Sequence, residues 1–282
     1  MLKLLPLALV LAATPVLAAD PPSWTQPTEP FQITDKIYYV GAKGLAAYLI
    51  RTADGLILID GTMAENVPFI ERNIAALGFR VQDIRILLAS HAHFDHAAGL
   101  AQLRRDSGAR FLSSPRDRAA YATGVPPSKV SYGVVTFPKV RVDGTLKEGR
   151  AVTLGGVSLT PLFTPGHTPG CTTWTMASPD AGTMRRVVFP CSMTVAGNQL
   201  VANPGYPGIV ADFRRTFPVM AKLKADIVLP GHPEGADVLA RGQRRAAGDK
   251  DAFVAPALLA TMTKEAQKAF ETELATQQAA PR

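Results

Sequence analysis

The stretch "ASHAHFDHAAGL", Ala89–Leu100, follows directly on the apolar run Ile84-Arg85-Ile86-Leu87-Leu88 and carries three histidines and an aspartate within six residues, His91, His93, Asp95 and His96. The apolar run reads as a buried strand and the segment after it as a loop leading into a helix from about Ala97 to Arg105, closed by Ser107-Gly108. In extended backbone, side chains two apart project to one side, so the spacing predicts that His91, His93 and Asp95 share a face, with His96 approaching from the start of the helix. Neutral imidazole nitrogen and carboxylate oxygen suit zinc, and four such groups exceed what one tetrahedral ion takes from one short segment. Two ions are the natural reading.

The chain has five histidines in all. The remaining two lie in "TPGHTPG" (His167), after a strand-like run at Val157–Phe163, and in "LPGHPEG" (His232), after one at Ile227–Leu229. Loops at strand ends let side chains from distant parts of a sheet converge. A single loop histidine is ordinarily a surface residue, but five of them at strand ends read as a metal site.

Around these motifs, "KIYYVG", "LAAYLIRT" and "LILID" read as consecutive strands, and the amphipathic run from Ala64 to Leu77, ended by Gly78, as a helix. The second half repeats the theme, with strands at Val152–Leu154 and Val157–Phe163, a hairpin turning at Ser178–Gly182, and a helix near Ile209–Lys222 in which Phe213 and Phe217 are core. Strands and helices in both halves predict α/β layers with sheet buried between helices. The halves meet near residue 150 within a single domain, residues 19–282.

Residues 1–18, with Lys3 ahead of "LLPLALVLAATPVLA", have the basic start, short apolar core and small-residue end of a cleavable signal peptide; Pro6 and Pro15 interrupt a stretch already short for a membrane anchor. The mature chain is expected in the periplasm, with no membrane association. A formal charge of +7 from 30 basic and 23 acidic residues is spread in scattered pairs without a nucleic-acid-binding motif. It suits an anionic small molecule better than a nucleic acid. The two cysteines, Cys171 and Cys191, flank the predicted hairpin, which would bring them face to face. A disulfide is one expectation, subject to the tight distance limits of such a bridge.

In their order along the chain, "SHAHFDHAAG", "TPGHTPGCTTW" and "LPGHPEG" resemble the metallo-β-lactamase superfamily, over nearly the whole chain from Phe31 onward. The resemblance implies a four-layer αββα sandwich. It also implies two Zn2+ ions, one held by His91, His93 and His167 and the other by Asp95, His96 and His232. Relatives that hydrolyse thioesters or lactones usually carry a metal-bridging aspartate after the second histidine loop, where this chain reads "VVFPCSMTVAG" without an acid. That difference points to a β-lactamase, and the H-x-H-x-D-H form with a serine at this point resembles subclass B3. By the same resemblance Ser192 and Thr194 contact the substrate carboxylate; Asp95 is expected also to orient the zinc-bound hydroxide that opens the lactam amide, and the protein is expected to be a monomer. Cys191 would be a metal ligand only if the register slipped by one. Apolar residues around Tyr121–Phe137 are expected to shape recognition, and Asp60 reads equally as an acid behind a histidine or as a cap on its turn. Rival readings are a lactone or thioester hydrolase on the same scaffold and a non-catalytic zinc-binding or storage protein.

Overall fold

Strand residues that alternate between two apolar faces can be covered on both sides, and the strands of this chain are built that way. The computed structural model describes residues 20–126, 128–131 and 133–280; the signal peptide expected at residues 1–18 lies outside them. A first sheet has seven strands in sequential order, β1 (Phe31–Gln32), β2 (Ile37–Tyr39), β3 (Tyr48–Thr52), β4 (Gly55–Ile59), β5 (Ile84–Leu88), β6 (Arg110–Ser113) and β7 (Gly144–Thr145). It is antiparallel from β1 to β4 and parallel from β4 to β7. A second sheet of five strands follows: β8 (Val152–Leu154), β9 (Val157–Phe163), β10 (Thr172–Asp180), β11 (Thr183–Phe189) and β12 (Ile227–Val228), with β12 parallel to β11 and the rest antiparallel.

The described residues also form seven α-helices: α1 (Val67–Ala76), α2 (Phe94–Ala97), α3 (Leu100–Ser107), α4 (Arg118–Thr123), α5 (Ile209–Lys222), α6 (Val238–Ala246) and α7 (Leu258–Ala279). Three apolar layers follow from the alternation. Leu49, Leu56, Leu58 and Leu87 face α1, α3 and α4 across the outer side of the first sheet. Their neighbours Tyr48, Ile50, Ile57, Ile59 and Leu88 face the second sheet, where Trp174, Val187, Phe189 and Ile227 meet them. Val188 and Val228 point the other way, onto Phe213 and Phe217 of α5 and Phe270 of α7. The result is the expected αββα sandwich. Among the described residues no helix is long and apolar enough to cross a membrane.

Two local expectations need correction. The hairpin does not turn over Ser178–Gly182: β10 continues to Asp180 and pairs Asp180 with Thr183. The turn is thus the two residues Ala181 and Gly182, both at positive φ (49° and 84°), the geometry that matches the twist of a tight hairpin. The helix expected from Ala97 begins at Phe94 and is split by Gly99 into α2 and α3. A Cβ at Gly99 would lie 2.2 Å from the Gly61 carbonyl oxygen, so only glycine admits this crossing of chain segments.

Cys171 and Cys191 are joined in a disulfide, with Cα atoms 5.8 Å apart. It lies just beyond the end of the β10–β11 ladder, whose last pair is Trp174 with Phe189. The bridge closes a sequence separation of 20 residues, so replacing both cysteines with serine should lower the unfolding free energy by about 3 kcal/mol. Chemical denaturation reads this directly; an unmoved midpoint would mean that the two segments are held equally well without the bond.

Candidate metal centre

The histidine cluster is placed by the end of β5, and that end is gripped from two sides. The backbone N–H of Ser90 donates to Asp60 Oδ1 at 2.7 Å, and its hydroxyl donates to Asp60 Oδ2 at 2.9 Å. From the second sheet, Thr172 N–H donates to Ser90 O at 2.8 Å and the Trp174 indole N–H to Ala89 O at 3.1 Å. Both sheets therefore fix the point at which the chain leaves β5. His91 and His93 follow, His93 in extended backbone, and the His93 carbonyl accepts the N–H groups of His96 and Ala97 that start α2. Asp95 consequently does not continue the extended alternation predicted for it. It sits in the first helical turn beside His96, because the helix starts within the cluster, at Phe94, rather than after it.

The other two loops arrive at the same rim. His167 follows β9 and donates from Nδ1 to the Thr194 carbonyl at 2.8 Å, which leaves its Nε2 free to face the cluster. His232 follows β12 in a loop that the first sheet holds: Tyr48 Oη donates to Pro230 O at 2.8 Å and Ala46 N–H to Gly231 O at 2.8 Å. A Cβ at Gly231 would stand 2.6 Å from His96 Cε1, so this glycine allows His232 to come next to His96.

Two adjoining groups result. Ligating atoms of His91, His93 and His167 all lie within 4.8 Å of one another, as do those of His91, Asp95 and His96. Asp95 Oδ2 is 3.2 Å from Nε2 of both His96 and His232, and those two nitrogens are 3.3 Å apart. All six predicted ligands are brought together. Cys191 is not among them, being committed to its disulfide.

Charge and protonation favour a cation here. His91 Nε2 and His93 Nε2 are buried with no hydrogen-bond partner, a costly condition for polar atoms and one that a divalent ion on neutral imidazoles would relieve. The donor set therefore fits a metal. Burial, reinforced by neighbouring imidazoles, pushes His91 and His167 well below the usual histidine range, and burial lowers His93 to about 4, so all three are neutral at pH 7. Burial alone would raise Asp95, yet the imidazoles of His96 and His232 hold it well below the carboxylate range. His96 is the converse: burial opposes its charge, but Asp95 and Asp60 push it up to about 10.

Asp60 resolves as an acid behind the histidines. It adopts φ 66° and accepts from Ser90 and from His96 Nδ1 at 3.1 Å. Because the Ser90 hydroxyl donates to Asp60, it accepts from His91 Nδ1 at 3.0 Å, which leaves His91 Nε2 with a lone pair. Ser90 was not foreseen as part of this relay, since a serine before a histidine carries no distinguishing signal.

The group opens into a cleft of about 1160 Å³ whose walls include Trp24, Phe94, Val135, Ser192, Thr194 and Met262. Ser192 and Thr194 lie side by side with hydroxyl oxygens 3.0 Å apart. Trp24 was missed in the sequence; its ring centroid is 5.4 Å from that of His232. Of the segment expected to shape recognition, Tyr121 and Phe137 are instead buried in the outer apolar layer, while Val135 lines the cleft.

Residues 41–232 match the metallo-beta-lactamase superfamily. Among solved structures, the chain is similar to BJP-1, a subclass B3 metallo-beta-lactamase of Bradyrhizobium japonicum, at 43% identity over 92% of this chain and 98% of that one, with a TM-score of 0.87. FEZ-1, a metallo-beta-lactamase of Legionella gormanii, is 36% identical over 90% of this chain and 98% of that one, with a TM-score of 0.86. Curated relatives include a hydroxyacylglutathione hydrolase of Cereibacter sphaeroides, 35% identical over 39% of this chain and 36% of its own length. An N-acyl homoserine lactonase of a Bacillus species is 29% identical over 44% of this chain and 54% of its own length. The chain spans about a third to two thirds of the length of the curated relatives it matches.

Proposed function

The chain belongs to the metallo-beta-lactamase superfamily, and from that membership we propose that it is a zinc-dependent β-lactamase of the subclass B3 kind. In this reading residues 19–282 form one monomeric domain, exported to the periplasm, that hydrolyses penicillins, cephalosporins and carbapenems. The observation that carries it is the pair of adjoining ligand groups with bare, buried imidazole nitrogens, in a chain 43% identical to a subclass B3 enzyme over nearly its full length.

His91, His93 and His167 would hold one zinc ion, and Asp95, His96 and His232 a second. When bound, such ions supply Lewis acidity and a water acidified toward neutral pH. The protein does the rest. Asp95, ionised and within reach of both groups, accepts a hydrogen bond from the attacking water and aims it at the lactam carbonyl carbon. Ser192 and Thr194 present adjacent hydroxyls that donate to the substrate carboxylate and orient the ring. Trp24, Phe94, Val135 and Met262 cover the apolar part of the substrate and exclude bulk water. Asp60, through Ser90 and His96, keeps both imidazoles turned with Nε2 toward the cluster.

A lactone or thioester hydrolase is the second reading, favoured by the names of the curated relatives. Against it stands the segment after β11, Pro190–Thr194, which offers the cleft hydroxyls and a disulfide but no carboxylate. Hydrolysis of a penicillin, a cephalosporin and a carbapenem, with and without a chelator, separates the readings when run beside a homoserine lactone and a glutathione thioester. All three β-lactams should be cut, and chelation should stop it. Turnover of lactone or thioester without any β-lactam hydrolysis would replace the first reading by the second.

A further inference from the structure

Asp117 is a fully buried carboxylate that the reaction above does not use. It sits at the start of α4, away from the three histidine motifs in sequence, yet it joins two of them. Its Oδ2 accepts from the Ala92 backbone N–H at 3.1 Å, in the peptide between His91 and His93, and from the Thr168 hydroxyl at 2.8 Å, next to His167. Its Oδ1 accepts from the Gly170 N–H at 2.7 Å. All three donors are buried, and none of them donates elsewhere. The approach is close enough to require glycine at 170, where a Cβ would stand 2.5 Å from Asp117 Cγ and 2.1 Å from Ser114 Oγ.

Burial raises the Asp117 carboxyl above the ordinary carboxylate range, and the three donors, with no acceptor among them, work the other way and favour its ionised form. That charge has no directly paired cation among the described residues, only the longer-range attraction of Arg116. None of the ion pairs among the described residues involves Asp117, and the adjacent Arg116 is turned to Asp212 at 2.8 Å and lies over the Tyr206 ring. A buried charge without a counter-ion is costly. On the other side of the same two loops stand three neutral imidazoles, a set that contributes no negative charge to whatever cation it holds.

We propose that Asp117 is a positioning residue for the His91–His93–His167 group, clamping the two histidine loops in register and supplying the negative charge that these neutral ligands lack. This inference rests on the reading that those imidazoles hold a metal. It assigns to one acid both the spacing of the imidazoles and part of their affinity for a divalent cation. Removing the charge should therefore weaken metal binding more than it weakens the fold.

The test is zinc affinity, measured by competition with a chromogenic chelator, together with the rise in Tm on adding zinc to the metal-free chain. Asp117→Asn should bind zinc 10- to 100-fold more weakly and show a smaller zinc-induced rise in Tm. Asp143→Asn serves as control, since Asp143 is also hydrogen-bonded several times, to Arg104, Arg141 and Phe111 N–H, but touches neither histidine loop; its zinc affinity should match wild type. Zinc affinity of Asp117→Asn within twofold of wild type, or an unchanged zinc-induced rise beside a lowered metal-free Tm, would overturn the proposal and leave Asp117 a purely structural group. Should Asp117→Asn not fold, Thr168→Val removes one donor with little change of shape. A several-fold loss of zinc affinity in Thr168→Val supports the clamp, and an unchanged affinity overturns it. Absence of zinc binding by the wild-type chain would overturn the metal reading itself, and the clamp with it, which distinguishes the two failures.

Discussion

Replacing Asp95 with asparagine is expected to lower kcat/KM for a cephalosporin by about a thousandfold or more, with the folded structure intact. The change is nearly isosteric, so packing has little reason to respond. His96 remains anchored through Nδ1 on Asp60, and the ends of β4 and β5 remain tied by the two Ser90 bonds. What is lost is charge. Asp95 is the acid that lies 3.2 Å from both His96 Nε2 and His232 Nε2, and an amide there offers either a weaker oxygen or a competing N–H. His91→Ala should be as damaging for a different reason, because it removes one of the three imidazoles of the His91–His93–His167 group, and one that also lies beside Asp95 and His96. Steady-state rates beside circular dichroism spectra check both variants. Activity within tenfold of wild type, with zinc bound, would remove Asp95 from the chemistry.

Much of the scaffold behind that prediction is legible in the chain. Ile84–Leu88, Val157–Phe163 and Ile209–Lys222 have in the structure the bounds that their apolar patterns suggest, because each is packed on a buried face and ended by a change of residue type. The six candidate ligands are legible because histidines at strand ends are conspicuous. The groups behind them are not. Asp117 stands between two arginines in "SPRDRA" and reads as part of a solvated face; only the fold brings it to Gly170, 53 residues away. Ser90 gains its meaning from Asp60, 30 residues earlier. The early start of α2 escapes for a related reason. Histidine and aspartate have modest helix propensity, so the pattern favours a loop, while the Gly61 N–H that donates to His96 O at 2.9 Å comes from the end of another strand. In each case the missing information is a long-range contact.

One such contact predicts the largest loss of stability. Trp174 is fully buried between the two sheets, and its indole N–H donates to Ala89 O at 3.1 Å, one residue before Ser90 and two before His91. Trp174→Ala should cost about 3–5 kcal/mol for the cavity, with about 1–3 kcal/mol more for the carbonyl left without its donor. At roughly 2–4 °C per kcal/mol for a domain of this size, Tm should fall by about 10 °C or more. Trp174→Phe separates the two contributions, since it keeps most of the apolar volume and removes the N–H. If the indole bond holds the end of β5 under the histidines, Trp174→Phe should lose zinc affinity as well as some stability, whereas a tryptophan that only fills space would leave zinc affinity unchanged. A fall in Tm below about 3 °C for Trp174→Ala would mean that the sheets close over the vacated space, and that the rim carrying the histidines does not depend on this contact.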